Sequence, residues 1–366
     1  MESNREFSTS TSPAPKQPRT RRTTSRKSAK KKRNPLVWTI IIIAAVMLIG
    51  AFGIFCFHSY RGDEVWIYIP KNATTEDIKK ELTEKMGSGE ATRVISLWTL
   101  MGGNPENAHG AYRFYPGAAS IRIARRLQKG AQTPVKLTFN NARTLDELAA
   151  KIAKPMEFSA DDFLNACSQD LPGYGFDDRR AYVAAFLPDS YEVYWTDSAE
   201  KVVEKLLKHR NSFWNDTRRQ KAKALGITPV QASTLASIVE EESMKTDERP
   251  TIARLYLNRL HKGMKLQADP TVKFAVGDFS LRRILGKHLK VSSPYNTYQN
   301  AGLPPGPIRV ASAATIDAVL DAPKNNYIYM CAREDFSGYH NFAADYDTHM
   351  ANARRYQAEL NKRGIK

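Results

Sequence analysis

The chain has 366 residues, 42% hydrophobic and 10% aromatic, which excludes a mainly disordered or collagen-like protein and leaves material for two or three packed cores. Its formal net charge is +17, but residues 1–34 hold eleven Lys or Arg against Glu2 and Glu6, so that tail supplies +9 and the remaining body +8. A basic body of that size suits a polyanionic partner, and charge alone does not choose among nucleic acid, lipid headgroups and a cell-wall polymer.

Residues 1–34 are rich in Ser, Thr and Pro between Ser8 and Ser28 and lack a periodic apolar pattern, so they are expected to form a disordered basic tail that touches anionic headgroups. Residues 36–57 carry no charge and would span roughly 33 Å as a helix, against roughly 30 Å for a bilayer's hydrocarbon core. The run is too long for the apolar region of a signal peptide and no small-x-small cleavage site follows it closely, so it reads as a transmembrane helix. Because Lys30-Lys31-Lys32-Arg33 directly precede it, the positive-inside rule puts the N-terminus in the cytoplasm and residues 58–366 on the far side. The membrane is then a partner, and an extracytoplasmic body argues against nucleic acid.

Glu64–Pro70 alternates as a strand, and Thr74-Thr75-Glu76-Asp77 opens a helix with Ile78 and Leu82 on one face. The unit recurs at Val135–Phe139, where Thr144-Leu145-Asp146-Glu147 opens a helix carrying Leu148 and Ile152. Between them, Tyr112–Gly117 followed by Ala119, Ile123 and Leu127 repeats the style, so residues 64–155 read as two small α+β modules. Their strand, turn and acid-capped helix resemble the LysM-like modules of peptidoglycan proteins; the bland alternative is a spacer that holds the rest off the membrane. Residues 156–227 read as mostly helical, interrupted by a turn at Leu187-Pro188-Asp189-Ser190-Tyr191. Of three cysteines, Cys56 lies in the span, while Cys167 and Cys331 could pair in an oxidising compartment without being needed as a staple.

The sharpest local pattern is Thr228-Pro229-Val230-Gln231, a full capping box with Pro at the first helical position, which predicts a helix to about Met244. On its wheel Glu242 falls with Leu235, Ile238 and Val239 on the apolar face, while Glu240 and Glu241 point elsewhere. A lone carboxylate facing a core is raised in pKa, as a general acid for glycosidic cleavage requires, unless a cation such as Arg254 or Arg259 neutralises it. Gln267, Tyr295, Asn296, Thr297 and Tyr298 supply the neutral hydrogen bonds and flat faces that sugars bind, or else form a polar loop packed on itself. Asp269 and Glu240 are candidate second carboxylates, although Asp269 before Pro270 also reads as a turn or N-cap residue. His340 and His349, nine residues apart with no acidic ligand set nearby, make a weak metal pair, and both read instead as substrate contacts or structural hydrogen-bonding residues. No metal and no cofactor is expected.

The runs Leu235–Ser243, Ala253–Leu260 and Gly263–Val272, then Ser293-Pro294-Tyr295-Asn296-Thr297-Tyr298, Gly302–Ile308, Tyr327-Ile328-Tyr329 and Gly338-Tyr339-His340-Asn341-Phe342, resemble the MltG (YceG-like) endolytic murein transglycosylase family. Gly110-Ala111-Tyr112-Arg113 and Leu187–Tyr191 extend the resemblance over nearly the whole extracytoplasmic part. It implies an α+β fold: an N-terminal transmembrane helix, LysM-like modules over 64–155 and a mixed α/β YceG-like catalytic domain over 156–366. It also implies that Glu242 is the acid/base of a lytic transglycosylase, a lyase, cutting the β-1,4 bond between N-acetylmuramic acid and N-acetylglucosamine with 1,6-anhydro ends. Glu240, Gln267, Asp269, Tyr295, Asn296, Thr297, Tyr298 and His340 would then bind glycan. Endolytic action that terminates nascent strands, peptidoglycan synthases as partners, and a place in the inner membrane come with the same resemblance. The chain departs from the family pattern in Glu241 for the usual Lys, Phe274 for a common Tyr, and Arg309-Val310-Ala311 for Asn/Thr-Pro-Gly. The alternative is a non-catalytic, membrane-anchored peptidoglycan-binding scaffold.

Overall fold

The computed structural model describes residues 34–281 and 283–364, so the tail expected to be disordered lies, Asn34 apart, outside the described residues. The chain divides into two units, one ending at Ile54 and one beginning at Phe55. Helix α1 (Pro35–Phe57) is unbroken over 23 residues and reaches a mean hydropathy of 2.9. Its Leu48, Ile49 and Ile54 are 71%, 72% and 75% exposed, so no protein core accounts for the apolar composition. The helix is long and apolar enough to cross a membrane.

The second unit contains three cores. In the first, β1 (Val65–Ile69), α2 (Thr75–Met86), α3 (Ser88–Leu100), a single turn α4 (Pro105–Ala108), β2 (Gly110–Phe114) and α5 (Ser120–Gln128) pack together. The strands are antiparallel from Val65 opposite Phe114 to Ile69 opposite Gly110, and alternation buries Ile67 and Ile69 while Tyr68 faces out. A reciprocal Thr74–Asp77 capping box starts α2, whose Ile78 and Leu82 join Val94, Leu97 and Trp98 of α3. Glu90, buried in α3, accepts from the Ser120 hydroxyl at 2.7 Å and Arg93 at 3.0 Å and meets His58 at 3.2 Å, which ties the start of this unit to α5.

The second core joins β3 (Val135–Phe139), α6 (Leu145–Ala153), α7 (Ala160–Asp170), two 3-10 turns at Leu171–Tyr174 and Arg179–Ala185, β4 (Asp189–Val193) and α8 (Ala199–Phe213). Here the expected turn at Leu187–Tyr191 is a strand from Asp189 onward. It pairs antiparallel with β3, Leu137 opposite Tyr191, so Tyr191 and Val193 are buried by a partner some fifty positions away. That pairing carries one continuous core across residue 155, where sequence patterning alone drew a division.

The third core holds α9 (Asp216–Ala224), α10 (Pro229–Glu242), α11 (Arg249–His261), α12 (Asp269–Val276), α13 (Ala313–Leu320), the hairpin β5 (Tyr329–Ala332) and β6 (His340–Ala343), and α14 (Tyr346–Lys362). Residues 232–239 are all buried, so α10 is surrounded by α9, α11, α12 and α13 rather than presenting one apolar stripe. The segment 302–310 stitches this core to the second: Val310 N–H donates to Ala142 O at 2.8 Å and Ile308 N–H to the Ser237 hydroxyl at 3.0 Å. A Cβ on Gly306 would lie 1.9 Å from the Arg180 carbonyl oxygen, so only glycine permits that backbone approach. The architecture is mixed α+β with one N-terminal apolar helix. Cys56, Cys167 and Cys331 are all unpaired, Cys167 within the second core and Cys331 on β5.

Candidate active site

The capping box expected at the start of α10 forms, with Thr228 and Gln231 capping each other reciprocally and Pro229 in the first turn. At the other end Ser243 turns extended, so Glu242 is the last helical residue and its side chain leaves the core just where the helix opens onto a cavity. That cavity, about 320 Å³, is walled by Glu242, by Tyr256 and Arg259 of α11, by Gln267 and Asp269, by Tyr298, and by the β5–β6 hairpin with His340.

Glu242 Oε1 accepts a hydrogen bond from the Tyr256 hydroxyl at 2.5 Å. Desolvation pushes the Glu242 carboxyl up from 4.5 to about 7; the Tyr256 hydrogen bond opposes this and the negative charge of Asp269 adds to it. Burial and the neighbouring Glu242 hold the Tyr256 phenol well above its ordinary 10, so it stays a donor. Neither suspected cation neutralises Glu242. Arg254 donates to the carbonyls of Ala322 and Pro323, and Arg259 to Leu266 O at 2.5 Å and Gln267 Oε1 at 3.2 Å. A carboxyl near 7 that is not ion-paired can be protonated at rest and ionised after one transfer, which is the requirement for acid and base work by one group.

The other two glutamates of the motif are committed elsewhere. Glu240 accepts from the Ser312 backbone N–H at 2.9 Å and its hydroxyl at 3.1 Å, at the N-cap of α13, so it does not reach the cavity it was expected to serve. Glu241 pairs with Arg309 at 2.6 Å, so two departures from the family pattern answer each other.

Of the remaining residues expected to bind substrate, Gln267, Asp269, Tyr298 and His340 line the cavity, and Tyr295, Asn296 and Thr297 do not. Tyr298 donates to Asp269 Oδ1 at 2.7 Å, and Asp269 opens α12, so the turn role and the cavity role coincide. Gln267 has φ +52, a left-handed conformation costly for a side-chain residue, and it is held there by Thr297 O. Thr297 is 1% exposed; its hydroxyl accepts the Ala268 N–H at 3.0 Å and bonds Thr271 at 2.7 Å. Asn296, fully buried, donates to the carbonyls of Leu289 and Val291 and receives the Tyr298 N–H. These two side chains therefore build the loop that presents Gln267, Asp269 and Tyr298. Tyr295 packs at a tilt against Phe274 with centroids 4.6 Å apart and directs its hydroxyl to Arg180 O.

Tyr256, Tyr329 and Glu248 carry no role in the sequence patterns, while His349, weighed there with His340, lines the cavity. Tyr256 and Arg259 lie three apart on one face of α11, a pairing legible once that helix is known to face Glu242. Tyr329 and His349 stack at 5.0 Å on the far wall, a contact that only the hairpin's packing on α14 creates.

The profile of the YceG-like family matches residues 67–355. A Bacillus subtilis protein named endolytic murein transglycosylase is 31% identical over 243 residues, covering 62% of this chain and 67% of that one. A Streptococcus pneumoniae protein of the same name is 25% identical over 324 residues, and the match takes in 78% of this chain but only 58% of the relative, less than two thirds of its length. The crystal structure of a YceG-like protein from Listeria monocytogenes superposes with a TM-score of 0.53 at 26% identity, covering 79% of this chain and 98% of that one.

Proposed function

Since the chain belongs to the YceG-like family, we propose that it is an endolytic murein transglycosylase in which Glu242 is both the acid and the base. The observation that carries this reading is the Glu242 carboxyl, raised to about 7, bonded to Tyr256 and opening onto the cavity.

Protonated Glu242 gives its proton to the glycosidic oxygen between N-acetylmuramic acid and N-acetylglucosamine, and the bond from that oxygen to the muramoyl C1 breaks. The resulting carboxylate takes the proton of the muramoyl 6-hydroxyl as O6 bonds to C1, which closes the 1,6-anhydro ring and leaves Glu242 protonated as it began. Tyr256 stabilises the intermediate carboxylate by its hydrogen bond. The Asp269 carboxylate faces the positive charge that develops at C1, and Gln267 and Tyr298 supply donors and an aromatic edge to the sugar. One carboxyl suffices because the attacking hydroxyl is already tethered to the reacting carbon.

Asp269 in the same cavity favours a second reading, hydrolysis by a pair of carboxylates. Mass spectrometry of sacculi digested by the purified protein separates the two. Anhydromuramoyl ends that vanish in Glu242→Gln and persist in Glu240→Gln support the transglycosylase; ends reducible by borohydride overturn it in favour of the hydrolase.

The Lys30–Arg33 run before α1 supports a cytoplasmic N-terminus and an extracytoplasmic catalytic body in the inner membrane. The strand and capped-helix units of the first two cores support a LysM-like grip on glycan, which would hold a polymer for internal cleavage. Cleavage of nascent strands beside the membrane also supports peptidoglycan synthases as partners.

A further inference from the structure

The cavity carries a polar centre that the chemistry of Glu242 leaves unused. Glu248, 6% exposed at the N-cap of α11, accepts the His340 backbone N–H on Oε1 at 2.7 Å, and its Oε2 faces His340 Nδ1 at 2.8 Å. The Ser243 hydroxyl, next to Glu242 in the chain, donates to the same Oε2 at 3.3 Å and accepts the Lys245 N–H at 3.0 Å. Oε1 accepts an amide N–H and Oε2 the Ser243 hydroxyl, so this carboxyl serves as an acceptor and Nδ1 is the nitrogen that carries hydrogen at this contact. A neutral imidazole has one N–H, which leaves Nε2 as an acceptor. Nε2 has no hydrogen-bond partner among the described residues, and the ring lines the cavity that holds Glu242.

A strut between α11 and the hairpin would not need the ring. The His340 amide on Glu248 and the Tyr339 hydroxyl on Asp247, 3.1 Å away, already make that link. What the imidazole adds is one lone pair of fixed direction in the cavity wall.

We propose that Glu248 is a positioning residue that sets the tautomer of His340, and that His340 Nε2 accepts a hydrogen bond from a hydroxyl of the saccharide bound beside Glu242. The inference rests on the glycan-cleaving reading of the cavity. No proton is transferred in this contact: it orients the hydroxyl oxygen, while both proton transfers stay with Glu242.

The test uses the full chain in lipid nanodiscs with histidine ring nitrogens labelled for NMR. In the unaltered protein His340 should show a protonated Nδ1 and a bare Nε2. Adding a muramoyl-N-acetylglucosamine tetrasaccharide to Glu242→Gln, which holds it uncut, should shift Nε2 and leave Nδ1 in place. Glu248→Gln keeps an oxygen for the His340 amide but turns an NH2 toward Nδ1. It should reverse the tautomer, lower kcat about tenfold as expected for one misdirected hydrogen bond, leave the melting temperature in place, and cause no further loss on top of His340→Gln. The proposal is overturned if the unaltered protein carries hydrogen on Nε2, if saccharide leaves Nε2 unmoved, or if the two losses add. A chain that cleaves glycan with Nε2 unmoved sinks this proposal alone; one that neither binds saccharide nor forms anhydro ends sinks the glycan reading together with it.

Discussion

The Tyr256 hydroxyl sits 2.5 Å from Glu242 Oε1, a bond from the middle of α11 to the last residue of α10, and it is the force that keeps the Glu242 carboxyl from rising further. Tyr256→Phe removes a donor to the ionised form, so the carboxyl should titrate above about 7 and the alkaline fall of kcat/KM should move to higher pH. Turnover should drop about tenfold or more, because the carboxylate formed in mid-reaction loses its stabilising bond. A pH–rate profile with an unmoved alkaline limb would contradict this role for Tyr256.

Glu242→Gln should be inactive yet well folded, and its stability should depend on pH in a defined direction. The folded carboxyl is raised from 4.5 to about 7, so between those values the native chain holds a proton that the unfolded chain releases. Stability of the unaltered protein therefore declines as pH rises through that window, by up to about 3 kcal/mol at 1.36 kcal/mol per pH unit. The amide has nothing to ionise. Relative to the unaltered chain, Glu242→Gln should thus gain in melting temperature on going from pH 5 to pH 8. A relative loss at pH 8 would mean that the carboxylate is held by a cation after all.

Local signals carried well from sequence to structure where the physics is local. The capping boxes at Thr74 and Thr228 and the alternation in Val65–Ile69 and Val135–Phe139 each depend on neighbours within a few residues, and all four form. The wheel put Glu242 on the same side as Leu235 and Ile238, and its carboxyl does meet a neighbouring helix at a cavity. The β4 strand was not legible, since Asp-Ser-Tyr-Glu-Val has turn residues at its start and becomes a strand only against β3. The same limit hid the site's far wall. Asn296 and Thr297 look like ligand residues by type, and only the fold reveals that their hydrogen bonds are spent on carbonyls, amides and Thr271.

The Glu241–Arg309 pair, with side chains 22% and 17% exposed, predicts a rescue. Glu241→Lys restores the residue usual in the family but sets a like charge beside Arg309, and should lower stability by about 1–2 kcal/mol for a partly buried pair. Arg309→Asn in the same chain should recover most of that loss. Thermal melts of the two single variants and the double variant read the coupling directly. Equal effects of Glu241→Lys with and without Arg309 would show that the contact contributes nothing.

The catalytic part should tolerate loss of the first core but not of β3 and α6. Apart from Ala111 of β2, which is buried in the second core, and Trp66 of β1, which packs against it, the strands and helices up to α5 build the first core, whereas β3 and α6 belong with β4, α7 and α8 beyond residue 155. A variant lacking residues 64–130 should therefore keep the second and third cores and a cooperative melt. A variant lacking 64–155 strips β4 of its partner, takes α6 off α7, and removes Val135, Leu137, Phe139, Leu145, Leu148 and Ile152 from the second core. Losing that much apolar burial is expected to exceed the whole stability margin of a domain, about 5–15 kcal/mol, and to leave aggregated protein. If the first core also grips glycan, the shorter deletion should weaken co-sedimentation with intact sacculi more than it lowers turnover on short soluble glycans, because tethering raises the local concentration only of a polymer. Equal loss on both substrates would make the first core a structural support for the site, and a folded, active 64–155 deletion would show that β3 is dispensable to the second core.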